Sequence, residues 1–267
     1  MSIKFPEKSR NLANCPCCKH FIFFEVLLSL INLNDTVNPA MTYVFGDIHG
    51  CLKAFDSLLD LINPTKQDTI VTLGDYVDRG PDSKGVIDRL IELKKSHNVV
   101  CLRGNHELMM QDARQGPPAS SFWLLNGGIE TLESYRCRSL AQLPDEHWEF
   151  IDSLVSHHYV DNFLLTHATP PHQGSVDDYD DDDLYWARFN EPQEREDGFI
   201  LVCGHTPQED RRPIMHNGHI CLDTGCVHEG FLTALTLETG EYLQANEEGQ
   251  LRDGALELPK VAEQHAA

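Results

Sequence analysis

Acidic, imidazole and amide side chains follow a series of short apolar runs in this chain, close to the point where each run ends. Three runs lead into GDIHG (46–50), GDYVDRG (74–80) and RGNHE (103–107), and two later runs lead into THA (166–168) and GHTP (204–207). Carboxylate, imidazole and amide oxygen together suit divalent ions such as Mn, Fe or Zn, whereas an all-oxygen set suits Mg or Ca. The residue types therefore indicate metal binding.

Each of these segments is a weak signal on its own. An Asp-x-His turn is commonly a capped, solvated loop, and Gly-Asn-His can be a turn whose Asn tolerates left-handed backbone. Their occurrence in order, each directly after an apolar strand, is hard to produce by local turn chemistry. The ligand-type side chains that follow these five strand ends are Asp47, His49, Asp75, Asp78, Asn105, His106, His167 and His205. Six such ligands are enough for two ions.

The elements that must position these ligands have an α/β pattern from Met41 onward. Residues 42–45 are expected to form a strand, and the apolar residues of 52–62 recur at helical spacing until Pro64 ends the helix. Two more strands, over 68–73 and 98–102, are expected on either side of a second helix. Because the carboxyl ends of strands in such a sheet lie along one edge, ligands distant in sequence can meet there.

The second half of the chain changes from helices to strands. Helices are expected over about 122–135, with an interruption at Gly127 and Gly128, and over 145–156 after Pro144. The short strands that follow include a hairpin at Asn217-Gly218. No internal repeat or Pro-rich linker divides the chain, so we expect one domain over 41–245 and a soft polar tail over 246–267.

Residues 1–40 do not share the charge pattern of the rest. They carry about one net positive charge, against about −22 for the remainder. Cys15, Cys17, Cys18 and His20 lie close together there, but their spacing lacks the Cys-x2-Cys pairing of ordinary zinc sites. We expect 1–40 to be an extension with little structure ahead of a natural start at Met41. Mass spectrometry of the native N-terminus tests this.

Charge and cysteine usage narrow the partners and the compartment. A formal net charge of −21 argues against a nucleic-acid or anionic-membrane surface, and any anionic substrate must be captured by local cations. The nine cysteines have no disulfide-framework spacing, which favours reduced thiols and a cytoplasmic location. The chain contains no run of about 18 or more consecutive apolar residues, so its sequence does not predict a transmembrane helix. The sequence does not indicate an oligomeric state.

The chain resembles the PPP family of serine/threonine protein phosphatases. The resemblance rests on six segments: GDIHG, GDYVDRG, RGNHE, THA, GHTP and CLDTG (221–225). That family lies within the wider calcineurin-like metallophosphoesterases, and the compact length and GHTP segment look closer to its bacterial and phage lambda type. The resemblance covers nearly all of 46–226. It implies a central β-sandwich flanked by helices, with a dinuclear metal site at strand ends.

The resemblance also implies how the ligands divide between two ions, most simply Mn, with Fe or Zn as alternatives. Asp47, His49 and Asp75 would hold one ion, and Asp75 would bridge to a second. The second would be held by Asn105, His167 and His205 as well. A hydroxide shared by the ions would then attack phosphorus in line, with no phosphoenzyme, because metal coordination lowers the pKa of water.

The remaining roles concern the leaving group and the phosphate. The resemblance makes His106 the general acid and Asp78 the carboxylate that orients it. Arg79 and Arg103 flank the ligands and can bind phosphate oxygens in a forked geometry. Arg188, in LYWARF (184–189), corresponds to a third phosphate-binding arginine of this branch.

Three functions remain open at this level. The favoured one is a phosphoprotein phosphatase acting on phospho-Ser or phospho-Thr, and also on phospho-Tyr if its specificity is broad. The alternative is a symmetrical diadenosine tetraphosphate hydrolase, because such enzymes share GDxHG and GNH. They resemble GDLVARG and GNHD where this chain has GDYVDRG and GNHE, so Asp78 and Glu107 favour the phosphatase. A catalytically dead scaffold is the third, and the complete set of ligands argues against it.

Overall fold

A computed structural model describes residues 39–259 of this chain, and all structural statements concern that range. The expected extension over 1–40, except for its last two residues, and its cysteine cluster lie outside it. No helix between residues 39 and 259 is both long and apolar enough to cross a membrane. The six cysteines of the described range are free thiols.

The first sheet has six strands and carries the three N-terminal motifs. Its core is parallel: β1 (Thr42–Phe45) pairs with β2 (Thr69–Thr72), which pairs with β3 (Asn98–Cys101). Helix α1 (Leu52–Ile62) connects the first two strands and α2 (Ser83–Ser96) the next two. Three antiparallel strands complete the sheet in the order β11-β10-β9-β1-β2-β3. They are β9 (Leu232–Thr236), β10 (Glu241–Ala245) and β11 (Leu251–Ala255).

The local sequence explains where these helices begin and end. Helix α1 buries Ala54, Phe55 and Leu58 on one face, and Asn63 ends it in left-handed backbone (φ 47°) just before Pro64. In α2, the side chain of Asp82 accepts a hydrogen bond from the Gly85 amide at 2.8 Å, a typical N-cap.

The second sheet has five strands in the order β4-β5-β6-β8-β7. It comprises β4 (His157–Val160), β5 (Phe163–Thr166), β6 (Ile200–Cys203), β7 (Ile214–His216) and β8 (His219–Cys221). The predicted hairpin at Asn217-Gly218 joins β7 to β8, with both turn residues at positive φ (46° and 70°). Strands β5, β6 and β8 are parallel, so their carboxyl ends also share one edge.

The two sheets pack face to face and form a sandwich. Buried residues of both sheets make up one cluster: Val44, Val71, Leu73 and Leu235 from the first, and Leu165, Val202 and Ile220 from the second. Helices cover both outer faces, α1 and α2 on the first sheet and the short α7 (Asp181–Tyr185) on the second. The predicted α/β fold with a central β-sandwich flanked by helices is confirmed.

The connection from β3 to β4 is helical and interrupted, as predicted. It contains α3 (Asn105–Ala113), α4 (Ala119–Trp123), α5 (Ile129–Ser134) and α6 (Asp145–Asp152). A π-helical turn over Leu124–Gly128 separates α4 from α5, and Gly127 has φ 114° there. A Cβ atom at Gly127 would lie 2.6 Å from the Arg79 amide nitrogen. Only glycine lets this turn approach the GDYVDRG loop so closely.

The end of the domain differs from the predicted boundary at residue 245. Residues 251–255 form β11, which pairs with β10 over five residues and extends the first sheet. The turn before it is closed by the Asn246 side chain, which accepts hydrogen bonds from the amides of Glu248 (3.1 Å) and Gln250 (2.8 Å). The prediction of a soft tail from 246 fails because β11 (LRDGA) lacks an alternating apolar pattern and is held by backbone pairing at a sheet edge.

Candidate metal centre and catalytic cleft

The motif loops converge at the carboxyl ends of the parallel strands, as their positions along the chain predict. Their backbone is unusual, because non-glycine residues in these loops adopt positive φ. These residues are His49 (44°), Asp75 (52°), Asp78 (72°), Arg79 (68°) and His205 (64°). Such conformations cost free energy and persist only where surrounding contacts hold them. The loops are therefore fixed by the structure around them.

The first group of ligand-type atoms comes from His49, Asp75 and His106, all buried, with their donor atoms within 4.8 Å of one another. His49 Nε2 lies 3.4 Å from Asp75 Oδ2, and Nδ1 of the same ring donates to the Val77 carbonyl oxygen at 2.8 Å. That bond fixes the ring and leaves Nε2 facing the carboxylate. His106 Nε2 lies 4.0 Å from Asp75 Oδ2.

The second group shares Asp75 with the first and adds His167 and His205. His167 Nε2 lies 3.5 Å from Asp75 Oδ1, and its Nδ1 donates to the Leu73 carbonyl oxygen at 2.9 Å. The Asn105 side-chain oxygen lies 3.0 Å from His167 Nε2 and 3.1 Å from His205 Nδ1. Asp75 thus belongs to both ligand groups, and its role as a bridging ligand, which the resemblance implies, stays a prediction.

Asp47 is buried beside these groups without belonging to either. Its carboxylate accepts the backbone amide of His205 at 3.0 Å and lies close to Asp223 and Asp75. Burial, with the charges of Asp223 and Asp75, raises the pKa of Asp47, and burial also raises the pKa of Asp223 to about 7. Three carboxylates packed this closely need a positive charge among them.

The donor set fits a pair of divalent cations. Burial lowers the pKa of His167 and of His205 to about 3 and depresses that of His49, so these imidazoles are neutral and available as ligands near pH 7. Two neutral imidazole groups on either side of a shared carboxylate match the chemistry of borderline divalent ions. The buried carboxylates supply the negative charge that such ions would balance.

A buried hydrogen-bond network holds His106 beside the shared carboxylate. Its Nδ1 donates to Asp78 Oδ2 at 2.7 Å, and its Nε2 has no hydrogen-bond partner although it is buried. Asp78 is fully buried and also accepts the Trp123 indole N–H at 3.0 Å and the Thr131 hydroxyl at 2.7 Å. The network leaves His106 Nε2 without a partner, 4.0 Å from Asp75 Oδ2.

Burial sets the protonation state of this pair. Desolvation lowers the pKa of His106 to about 4, although the negative charge of Asp75 acts in the opposite direction. Burial raises the pKa of Asp78, and its hydrogen bonds from Thr131 and Trp123 work against that change. The imidazole is therefore neutral near pH 7, and it must gain a proton when an anionic substrate arrives if it is to act as an acid.

Glu107 ties two of the ligand loops together. Its carboxylate accepts backbone amides of the second motif from Asp75 (2.9 Å), Tyr76 (2.7 Å) and Val77 (3.2 Å). It also accepts the Gly104 amide at 3.0 Å, at the start of the helix that carries Asn105 and His106. One fully buried side chain thus positions ligands from both loops.

A cleft of about 350 Å³ opens above these groups. Its lining includes four residues of the ligand groups: Asp75, Asn105, His106 and His205. The other lining residues are Arg79, Asn126, Trp186, Arg188, Pro207 and His228. Arg79 Nη1 lies 3.0 Å from His49 Nε2. Trp186 is 36% exposed and packs edge-on against His205, with ring centroids 6.3 Å apart. The cleft combines cations with an exposed aromatic ring.

The three predicted phosphate-binding arginines are placed differently. Arg79 and Arg188 line the cleft, whereas Arg103 is not among the residues that line it. The Arg103 Nη2 donates to the Leu154 carbonyl oxygen at 3.3 Å. Its phosphate-binding role has the weakest geometric support of the three and stays a prediction.

Several residues of the site are absent from the sequence prediction. Asp223, Trp123 and Thr131 act through contacts with Asp47 or Asp78 that no local pattern signals, and His228 carries no ligand-like context. Glu107 stands in a quoted motif, but its bonds to the second loop span about thirty residues of sequence. The CLDTG segment was the one available signal for Asp223.

Comparison with known proteins places this geometry in context. The family described as calcineurin-like phosphoesterase matches residues 41–236. A bis(5'-nucleosyl)-tetraphosphatase PrpE (asymmetrical) of Oceanobacillus iheyensis is 30% identical over 231 residues, covering 75% of this chain and 90% of that protein. The serine/threonine-protein phosphatase 1 of Salmonella typhimurium is 41% identical over 98 residues. That match covers 35% of this chain and spans 42% of the phosphatase.

Solved structures support the fold. A candidate diadenosine tetraphosphatase superposes with a TM-score of 0.58 at 20% identity, covering 81% of this chain and 94% of the other. A cold-active protein-tyrosine phosphatase of a psychrophilic Shewanella gives a TM-score of 0.57 at 16% identity, with 81% and 80% covered. These likenesses concern the arrangement of the chain and not its substrate.

Proposed function

Because this chain belongs to the calcineurin-like phosphoesterase family and is a metallophosphoesterase, we propose that it hydrolyses the phosphoanhydride chain of dinucleoside tetraphosphates. This reverses the order in which the sequence motifs rank the two substrate classes. A relative that matches over 90% of its own length is named a bis(5'-nucleosyl)-tetraphosphatase, whereas the match to the serine/threonine-protein phosphatase is confined to 98 residues.

The observation that carries the proposal is the composition of the cleft. Arg79 and Arg188 provide the local cations that an acidic chain needs for an anionic substrate, and guanidinium groups bind phosphate oxygens in a forked geometry. Trp186 adds an exposed indole at the same cleft. Stacking of a base on an aromatic ring stabilises binding by about 1–3 kcal/mol. Phosphate and base recognition thus lie together.

When bound, two divalent ions would lower the pKa of water and neutralise charge on the phosphoryl oxygens. His49, Asp75, Asn105, His167 and His205 would hold them, with Asp47 beside them. We propose Mn as the native metal, with Fe or Zn as alternatives that suit the same donors. Metal analysis of protein purified without added metal tests this.

The protein's own groups do the rest. Arg79 and Arg188 bind and orient the phosphate chain. His106 gives or takes a proton at Nε2, the buried atom that has no hydrogen-bond partner, while Asp78 fixes the ring through Nδ1. Trp123 and Thr131 hold Asp78 in turn.

A phosphoprotein phosphatase is the second candidate, favoured by the His106–Asp78 pair. The alkoxide leaving from phospho-Ser or phospho-Thr is strongly basic and needs a proton donor, whereas a nucleotide phosphate leaves readily without one. A buried imidazole oriented by a carboxylate is what a poor leaving group requires. The partial match to serine/threonine-protein phosphatase 1 supports the same candidate.

One experiment separates the two. The Mn-loaded protein is given diadenosine tetraphosphate or phospho-Ser, phospho-Thr and phospho-Tyr peptides, and nucleotide products and free phosphate are measured. We expect kcat/KM to be at least about tenfold higher for the dinucleotide, consistent with the added stacking free energy. Two ADP would identify symmetrical cleavage, and ATP with AMP asymmetrical cleavage. Faster turnover of a phosphopeptide would establish the second candidate instead.

A further inference from the structure

Two arginine side chains near the cleft have no ion-pair partner among the described residues, although the chain carries a net charge of −21. Arg79 and Arg211 form no ion pair with any carboxylate of residues 39–259, although Arg89, Arg114 and Arg195 in the same range each do. Both guanidinium groups act on His228, and the repulsion between like charges near one side chain costs free energy. An anion that is absent from the protein's own side chains would relieve it.

The backbone of Arg211 is anchored, so its side chain has a defined origin. Its amide donates to the Gln208 carbonyl at 3.1 Å, and its own carbonyl accepts Gln244 Nε2 at 3.2 Å and Arg252 Nη2 at 2.7 Å. The guanidinium lies over Gly225, where a Cβ atom would collide with Arg211 Nη1 and also touch His228 Cβ at 3.7 Å. Gly225 thus makes room for Arg211 beside His228.

His228 connects this arginine to the cleft. It is exposed, lines the cleft together with Arg79, and follows Gly225 in a short 3-10 turn over Cys226–His228. Its pKa is lowered by partial burial and by the positive charges of Arg79 and Arg211. Arg211 Nη1 and His228 Cβ both lie against Gly225, and His228 lines the cleft with Arg79, so the three side chains can act on the same bound group.

We propose that Arg211 and His228, together with Arg79, bind the phosphates of a nucleotide's polyphosphate chain that lie beyond the phosphate under attack. This deepens the proposed function and rests on it. A single phosphoryl group needs only the cations above the metal-binding residues. A linear chain of phosphates carries its charge along its length and would neutralise the whole row of cations from the cleft to Arg211.

The test compares Arg211→Gln with Arg212→Gln, a matched control at the next residue, which is exposed, whereas the guanidinium that lies over Gly225 is that of Arg211. Each is assayed with diadenosine tetraphosphate and with p-nitrophenyl phosphate, which has one phosphoryl group. Loss of one charge-assisted interaction should raise KM for the dinucleotide about tenfold or more in Arg211→Gln. KM for p-nitrophenyl phosphate should change less than about twofold. Arg211→Lys should recover part of the loss, since it keeps the charge.

A second readout does not require that the dinucleotide be cleaved. Tripolyphosphate and orthophosphate are compared as inhibitors of p-nitrophenyl phosphate hydrolysis, with Mn²⁺ held in excess. We expect tripolyphosphate to inhibit the unmodified protein more strongly, and Arg211→Gln and His228→Gln to lose that advantage while Arg212→Gln keeps it. If the advantage is lost but no variant or parent cleaves the dinucleotide, the subsite stands and the proposed substrate fails. Equal tripolyphosphate inhibition in Arg211→Gln and Arg212→Gln overturns the subsite.

Discussion

Among single residues, His106 has the most sharply defined surroundings in the cleft. One ring nitrogen is held by a fully buried carboxylate, and the other has no partner and faces the ligand groups. Two roles fit this geometry, proton transfer and metal ligation, because His106 Nε2 also belongs to the first group of ligand-type atoms. A substitution separates them.

We expect His106→Asn to lower turnover of p-nitrophenyl phosphate by about 10²-fold or more, because it removes the proton-transfer group and keeps a polar side chain. The number of metal ions bound per protein molecule, measured by mass spectrometry of the intact protein, should equal that of the parent. A drop in metal content would identify His106 as a ligand. The deficit should also be larger for phenyl phosphate, whose leaving group is more basic.

Trp186 tests base recognition at the same scale. Trp186→Ala should raise KM for diadenosine tetraphosphate about tenfold and leave the kinetics with glycerol phosphate nearly unchanged, since only the dinucleotide has an aromatic ring to stack. Leu61→Ala is the control, because Leu61 is also an exposed apolar residue but lies on helix α1. An equal loss on both substrates would mean that Trp186 acts by supporting His205, whose ring it contacts.

At the scale of elements, the interrupted helix α4–α5 holds Asp78, which in turn orients His106. Trp123 at the end of α4 and Thr131 in α5 both bond to Asp78, and the intervening turn brings the Gly127 carbonyl oxygen to 3.2 Å from the Arg79 amide nitrogen. The position of this helical segment therefore sets both the orientation of His106 and the start of the Arg79 side chain.

Gly127→Ala should displace the loop that carries Asp78 and Arg79, because its Cβ would lie 2.6 Å from the Arg79 amide nitrogen. We expect kcat/KM to fall at least about tenfold, in line with the sensitivity of catalysis to small misplacements. Gly116→Ala is a matched control: its φ is also positive (88°), but no atom lies within 4 Å of the added methyl group. Similar losses in both variants would trace the effect to backbone strain alone.

The same elements show how far the sequence could predict the site. His49, Asp75, His167 and His205 could be predicted as neighbours because parallel strands bring their carboxyl ends to one edge whatever the side chains do. The place of Arg103 could not, because it depends on the direction of a long side chain. Strand β11 was missed because edge pairing needs no apolar pattern.

Over the whole molecule, acidity and buried neutral histidines make stability depend on pH. His219, in β8, is 1% exposed and its Nδ1 donates to the Asn217 carbonyl oxygen at 2.8 Å. Burial lowers its pKa below the ordinary value of about 6.5. The unfolded chain therefore binds a proton there at a higher pH than the folded chain, and stability falls as pH drops below about 6.5.

His219→Asn should narrow the difference in Tm between pH 7.5 and pH 5.5, measured by thermal unfolding after metal is removed with a chelator. The reason is that the variant has no imidazole to protonate on unfolding. His216→Asn, at an exposed histidine of the same hairpin, should narrow the difference less, because burial is the largest cause of the lowered His219 pKa. A gap of the parent's size in His219→Asn would show that this histidine does not couple protons to folding.

The predicted cytoplasmic location and the predicted extension over residues 1–40 remain predictions at this scale. The site itself lies wholly within the described range. Its ligands come from five loops spread over 159 positions, from Asp47 to His205. The cleft therefore depends on long-range pairing in both sheets.

The carboxylate of Glu107 has a consequence for how the metal centre fills. The Glu107 carboxylate accepts hydrogen bonds from four backbone amides that belong to two loops. These bonds fix the position of Asp75 on one loop relative to Asn105 and His106 on the other, with or without a bound ion. Folding alone thus prepares the cage, and loading needs no rearrangement of these two loops. We therefore expect the protein to remain folded when metal is removed and returned, although the buried carboxylates make the metal-free form less stable.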